Sequence, residues 1–179
     1  MPRCIAFLRA VNVGGRFVKM DALKAQFEAL ALTDVSTFIA SGNVIFDTRA
    51  RDMGALEQKI EKQLYGAFGF EVHSFVRSTA EVAAIAACRP FDAHELEQAV
   101  SFVVGFVARP FDAAQQKLVR GFNNELDAFH VQGRELYWMS RHRQSDSKFS
   151  NAAFERALGL RATFRNMNTL QRIAALNVG

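Results

Sequence analysis

The chain has 179 residues, half of them hydrophobic, with seventeen Phe, three Pro and eleven Gly. That composition excludes a disordered or collagen-like chain and suits one compact domain or two small halves sharing a core. A net charge of +4 and a pI of about 9.4, with the basic residues mixed among eighteen acidic ones, exclude a massed basic tail and give a mild preference for anionic partners.

Cys4 and Cys88 are far apart and form no C-x-x-C. They argue against a disulfide framework and a zinc site, and set a reduced, cytoplasmic location as the expectation. Arg9 breaks the amino-terminal apolar run and no small-residue cleavage site follows, so a signal peptide is not expected. No stretch approaches the roughly 18 uninterrupted apolar residues of a membrane helix.

In chain order, residues 3 to 13 predict a strand with Ile5, Phe7 and Val11 on one face and Cys4, Ala6 and Leu8 on the other, covered on both sides. It ends at Gly14-Gly15. Asp21 caps a helix whose Leu23, Phe27 and Leu30 form one stripe. Residues 35–40 and 44–47 predict a hairpin around Ser41-Gly42-Asn43. A helix from Asp52 to Phe68 is closed by Gly69, and residues 72–76 form a fourth strand. Ser78 with Glu81 is a capping box for a short helix that Arg89-Pro90 ends.

The order then repeats. Residues 100–108 are an apolar strand, and Asp112 with Gln115 caps a helix to about Phe122. Residues 128–132 and 135–140 are strands joined at Gly133-Arg134, followed by a helix from Ser147 to Leu158 with Gly159 as its cap. Residues 162–165 form a short last strand, and Asn166 opens a terminal helix carrying Leu170, Ile173 and Ala174.

The fold class is therefore α+β: two ferredoxin-like βαββαβ halves packed together, residues 1–87 and 100–179, joined by 88–99, with an extra C-terminal helix. The repeat is one of element order, with no residue-level self-similarity, so duplication is a hypothesis. The two Arg-Pro-Phe-Asp-Ala strings at 89 and 109 read as two helix entrances built alike.

That topology sets the end of the first strand beside the hairpin between the second and third. Arg9, Asn12, Gly14, Gly15 and Lys19 should lie near Ser41, Gly42 and Asn43, where free backbone N–H groups would suit an anion. In the second half Lys148 should lie near Arg165, Asn166, Asn168 and Thr169, at two helix amino termini. Turn chemistry alone accounts for Gly14-Gly15 and the 41–43 turn, and helix capping for Asn166 and Thr169; a cap does not require Arg165. His73, His94, His130 and His142 show no metal-ligand spacing, and no G-x-S-x-G or Cys-His signature appears, so neither metal, cofactor nor catalytic residue is assigned.

Three strings carry a family resemblance: residues 7–15 (Phe7 to Gly15), Ser41-Gly42-Asn43-Val44-Ile45-Phe46, and residues 163–169 (Thr163 to Thr169), with Ser147-Lys148-Phe149 before the penultimate helix. In this order and spacing the chain resembles, over essentially its whole length, the bacterial family catalogued as domain of unknown function 1697. The resemblance implies two ferredoxin-like halves and supplies no activity, substrate or cofactor. One position usually aromatic in the last string is Met167 here, so a ring stacking on a ligand there would be altered.

Three readings follow, in order of preference. The first is a protein binding a small anionic ligand, a nucleotide or phosphorylated metabolite, and acting on it if it is an enzyme. Second is a nucleic-acid-binding module, favoured by Arg134, Tyr137, Trp138, Arg141 and Arg143 but lacking the basic-glycine-aromatic string that stacks bases. The third is assembly through an open sheet face, leaving monomer and homodimer both open.

Overall fold

A computed structural model of the chain describes residues 1–12, 14–39 and 42–176. It divides into two compact units, Met1–Val82 and a second beginning at Ala83. The first unit runs β1 (Arg3–Leu8), α1 (Met20–Glu28), β2 (Thr33–Thr37), β3 (Asn43–Asp47), α2 (Met53–Phe68) and β4 (Ser74–Ser78). Helix α3 (Thr79–Ala87) crosses the boundary. The second unit continues with α4 (Ala93–Glu97), β5 (Ser101–Phe106), α5 (Ala113–Gly121), β6 (Asp127–Gln132), β7 (Glu135–Ser140), α6 (Asn151–Leu158), β8 (Thr163–Asn166) and α7 (Met167–Leu176). Each unit holds one four-stranded antiparallel sheet, ordered β2-β3-β1-β4 and β6-β7-β5-β8.

In the first sheet the two-residue period sorts the strands into faces. Cys4, Ala6, Leu8, Val44, Phe46 and Val76 pack with Leu23 and Phe27 of α1 and Leu56, Ile60 and Leu64 of α2. Ile5, Phe7, Ile45 and Phe75 lie on the other face and are buried too, so β1 is covered on both sides as its composition predicts. Each fully buried side chain of this size contributes about 1.5–3 kcal/mol. Helix α2 is bounded as expected: the Asp52 carboxylate accepts from Ala55 N at 3.0 Å, and Gly69 closes it at φ 76°.

Two local expectations are corrected here. Helix α1 starts at Met20, with Lys19 in the capping position and no side-chain cap; Asp21 is already inside the first turn, where its charge still complements the helix dipole. The fourth strand runs two residues later than its apolar pattern suggests, because pairing with β1 sets its limits at Ser74 and Ser78.

In the second unit Val103, Leu136, Trp138 and Phe129 form the sheet's helix-facing layer, against Val119, Phe154 and Leu158. The connecting segment contains α4, whose box of Asp92 and Glu95 repeats that of Asp112 and Gln115 on α5, so both Arg-Pro-Phe-Asp-Ala strings do open helices. The largest correction concerns α6. It begins at Asn151 under a Ser150 cap, not at Ser147, and a single 3-10 turn, Gln144–Asp146, comes first. Ser147 instead accepts from Phe149 N at 3.1 Å, which bends the chain away from helix.

Gly105, at the centre of β5, faces Phe164 on β8. A Cβ there would stand 2.7 Å from Phe164 Cε1 and 2.9 Å from Cζ. Gly105→Ala should therefore force the Phe164 ring aside and cost about 1–3 kcal/mol, read as a lower melting temperature.

Candidate functional site

The first edge forms as the topology requires. Phe7 pairs with Asn43, and Leu8 N donates to Gly42 O at 2.8 Å. Gly42 sits so close that a Cβ would lie 3.1 Å from Leu8 Cβ and 3.5 Å from Val11 Cβ, at φ +81°. Left-handed backbone gathers here: Ala10 (63°), Asn12 (59°) and Ile39 (59°) join Gly14 (63°) and Gly15 (82°). A β-branched residue in that region is strained by about 1–3 kcal/mol.

The side chains at this edge hold loops together. Asn12 Oδ1 accepts from Val18 N at 2.6 Å. Asn43 is fully buried; its side-chain amide donates to Phe38 O at 2.9 Å, and its backbone carbonyl accepts from Phe38 N at 3.0 Å. Gly14, Gly15 and Lys19 are exposed and Arg9 is half-buried, with its backbone N–H on His73 O at 2.9 Å. Ser41 lies outside the described residues.

The second edge carries a cavity of about 490 Å³, entirely within the second unit. Its apolar wall is Val103, Trp138, Phe149 and Phe164. Its polar rim holds Gln144, Ser145, Ser150 and Asn151 from the segment entering α6, with Arg165 and Asn166 from the end of β8. Ser150 Oγ accepts from Ala153 N at 3.1 Å, which fixes the first turn of α6. Among the residues expected at this edge, Arg165 and Asn166 line this cavity, and Asn166 also lines a neighbouring cavity of about 310 Å³ with Asn168, Arg89 and Met167. Lys148 is exposed beside Phe149, and Thr169 is half-buried in the first turn of α7. Met167 is buried.

Arg165 is 8% exposed, and burial lowers its pKa to about 10, so it remains charged at neutral pH. Its Nη1 donates to Thr163 Oγ1 at 2.8 Å and to Phe164 O at 2.9 Å. Arg77 holds the corresponding register in the first unit, opposite Ile5 as Arg165 is opposite Val104. It is fully buried and its Nη1 donates to Val76 O at 3.0 Å.

Sequence reasoning missed the group that fixes the cavity floor. Asp127, 2% exposed, accepts from Trp138 Nε1 at 2.9 Å, and Ser147 Oγ lies 3.3 Å from both its oxygens. His142 Nε2 is 3.3 Å from Oδ2. Burial alone would push this carboxyl up, but hydrogen bonds from Trp138, Ser140, His142 and Asn124 outweigh it and hold the pKa below its ordinary value. One carboxylate thus ties β6, β7 and the segment entering α6 together. The only local sequence signal is the Asn124 turn before it, whose Oδ1 accepts from Leu126 N and Asp127 N, both at 2.8 Å. From sequence Phe149, Ser150 and Asn151 fell inside the expected 147–158 helix and Phe164 inside the expected 162–165 strand, with nothing to mark them as a lining.

Among the described residues no group of three or more His, Cys, Asp or Glu could hold a metal ion, and no helix is long and apolar enough to cross a membrane. Tyr137 and Trp138, the aromatics that favoured nucleic acid, are 2% and 1% exposed and offer no surface on which a base could stack.

In comparisons with known proteins, no curated protein matches the chain. Among solved structures, the conserved bacterial protein SP0830 from Streptococcus pneumoniae is similar, at 22% identity and a TM-score of 0.77, with 98% of each chain covered. At that identity the likeness shows the fold alone. Residues 1–137 match the family described as "Protein of unknown function (DUF1697)", the match ending short of the strings at 147–149 and 163–169. With the β1 end, the 42–46 strand and three-quarters of its length inside that match, the chain belongs to the DUF1697 family.

Proposed function

We propose that this is a cytosolic protein that binds a small anionic ligand, a nucleotide or phosphorylated metabolite, in the 490 Å³ cavity of its second unit. The cavity is the observation that carries the reading. Its volume lies in the range of small-molecule sites, roughly 300–1,000 Å³, and it combines an aromatic wall with a few converging polar groups. The amino terminus of α6 opens at Asn151 on its rim, where first-turn N–H groups have no intrahelical partner and the dipole favours an anion. Positive charge is close by in the chain, where Arg143 and Lys148 are exposed next to Gln144 and Phe149. The reading is one of binding, and it assigns no nucleophile or general base among the described residues.

The same reading includes two ferredoxin-like halves arising by duplication. Its support is the shared sheet order and the matched register of Arg77 and Arg165.

The test is Asn151→Asp. A carboxylate in the first turn of α6 complements the helix dipole, so the melting temperature should hold or rise slightly. The same charge should repel an anion and weaken binding on the order of tenfold or more. Ligand at a hundredfold excess over Kd stabilises the native state by about 2.7 kcal/mol, so a thermal-shift screen against AMP, ribose 5-phosphate and inorganic phosphate reads both effects. A shift that survives Asn151→Asp undiminished, or no shift with any anion, would refute the proposal.

A further inference from the structure

We infer that the anionic group of the ligand docks on the outer edge of β8, accepting from the backbone N–H of Phe164 at the place where the first unit supplies the Glu57 carboxylate; the inference rests on the anion-binding reading above. In the first unit Arg9 N donates to His73 O at 2.9 Å, so the odd-numbered residues of β4 bond to β1 and the even-numbered ones turn their N–H outward. A helix carboxylate meets each outward donor. Glu61 accepts from Ser74 N at 2.9 Å, Glu57 from Val76 N at 2.7 Å and Glu81 from Ser78 N at 2.8 Å. Glu57 and Glu61 stand one turn apart on α2, and Glu57 is buried.

The second unit repeats the edge without repeating the carboxylates. Val107 N donates to Arg134 O at 3.1 Å, toward β7, so Val104 and Phe106 face β8, opposite Arg165 and Thr163. Ala162, Phe164 and Asn166 therefore turn their N–H outward. By the matched register of Arg77 and Arg165, they correspond to Ser74, Val76 and Ser78. Glu155 of α6 accepts from Ala162 N at 3.1 Å, as Glu61 does from Ser74 N. One turn earlier, where α2 has Glu57, α6 has Asn151. Three residues beyond Asn166, where the first unit has Glu81, stands Thr169. Neutral side chains thus replace two carboxylates, and Phe164 N has no acceptor among the described residues.

The 490 Å³ cavity lies at this spot, lined by Asn151, Phe164 and Asn166 together. The carbonyl of Phe164 is met by Arg165 Nη1 at 2.9 Å, as that of Val76 is by Arg77 Nη1 at 3.0 Å. At Val76 the N–H is met as well, by Glu57; at Phe164 it is left to a ligand. An ionised acceptor gains most there, because a hydrogen bond to a charged oxygen is about twice as strong as a neutral one. A phosphate or a carboxylate supplies that oxygen.

The experiment is two-dimensional amide NMR of the full chain, titrated with AMP, inorganic phosphate and acetate at constant ionic strength. The Phe164 amide proton should move downfield and saturate with at least one of the three. Val76, whose N–H already bonds Glu57, should stay in place. Asn151→Glu installs on α6 the side chain that α2 carries as Glu57. It should move the Phe164 amide with no anion present, raise the melting temperature by about 3–6 °C and weaken the anion about ten- to a hundredfold. Binding seen by thermal shift with the Phe164 amide unmoved, or moving only together with Val76, would overturn the edge assignment and leave the anion reading standing. A Phe164 amide that Asn151→Glu leaves unmoved in a folded protein would overturn it too. A response to acetate alone would uphold the edge assignment and replace the phosphorylated ligand by a carboxylic acid. Absence of binding by all three would overturn both.

Discussion

Replacing Asp127 by alanine should cost about 3 kcal/mol and lower the melting temperature by roughly 6–12 °C. The carboxylate is 2% exposed and accepts from the Trp138 indole at 2.9 Å, from the Ser147 hydroxyl at 3.3 Å and from the Asn124 amide at 3.5 Å. Truncation leaves the buried indole N–H without its acceptor and takes one from the half-buried Ser147 hydroxyl, and an unmet buried donor costs more than a made bond contributes. The loss has a pH signature. Because the folded carboxyl is held below its ordinary 3.8, its stabilisation is fully present above that value and disappears as pH falls through the lower folded value. Melting curves should therefore show the gap between wild type and Asp127→Ala at full size at pH 6 and shrinking below about pH 4. A gap that stays constant on acidification would mean that the carboxylate's charge contributes nothing and only its volume matters.

Arg165→Ala should also destabilise, by about 2–4 kcal/mol, or roughly 5–15 °C. From sequence this residue stood out as one that no cap explains, and a functional role predicts an intact fold on truncation. The structure changes the expectation. Its guanidinium donates to Thr163 Oγ1 and to Phe164 O, within its own strand, and its stem is buried. Arg77 repeats the arrangement in the first unit, donating to Val76 O at the corresponding place on β4. Two buried arginines at one register position are better explained by strand architecture than by a ligand that only the second unit's cavity would hold. Arg77→Ala should thus lose a comparable amount. Lysine, a point charge without the planar fork, should rescue neither fully. A melting temperature for Arg165→Ala within a degree of wild type would return the residue to the binding site.

The two findings also show what kinds of feature were legible beforehand. Elements whose signal is local came out well. The Asp52 and Ser78 caps, the Gly69 and Gly159 terminators and the Gly133 hairpin all depend on residues within four positions of one another. The meeting of the β1 end with the 42–43 turn was legible because antiparallel order leaves those segments one edge to share. Boundaries set by distant partners were not. Pairing with β1 decides where β4 starts, and the bond network around Ser147 delays α6 until Asn151. The apolar pattern continues through both places without marking either.

The α+β class, the order of strands and helices, most caps and turns, and the two edges where polar residues gather are readable along the chain, because each follows from periodicity and short-range hydrogen bonding. Which of those residues face a cavity depends on the folded packing. Asn43 turned out buried and bonded to Phe38, whereas Trp138, Phe149 and Asn151, ordinary strand and helix residues by pattern, line the cavity. The reason is physical. A cavity is the space left between side chains brought together from β5, β7, β8 and the entrance to α6, and no spacing along the chain encodes a volume. Asp127 is the plainest case: in sequence it is one more acidic residue at a strand end, and burial among five hydrogen-bonding partners lets it fix Trp138 behind the cavity.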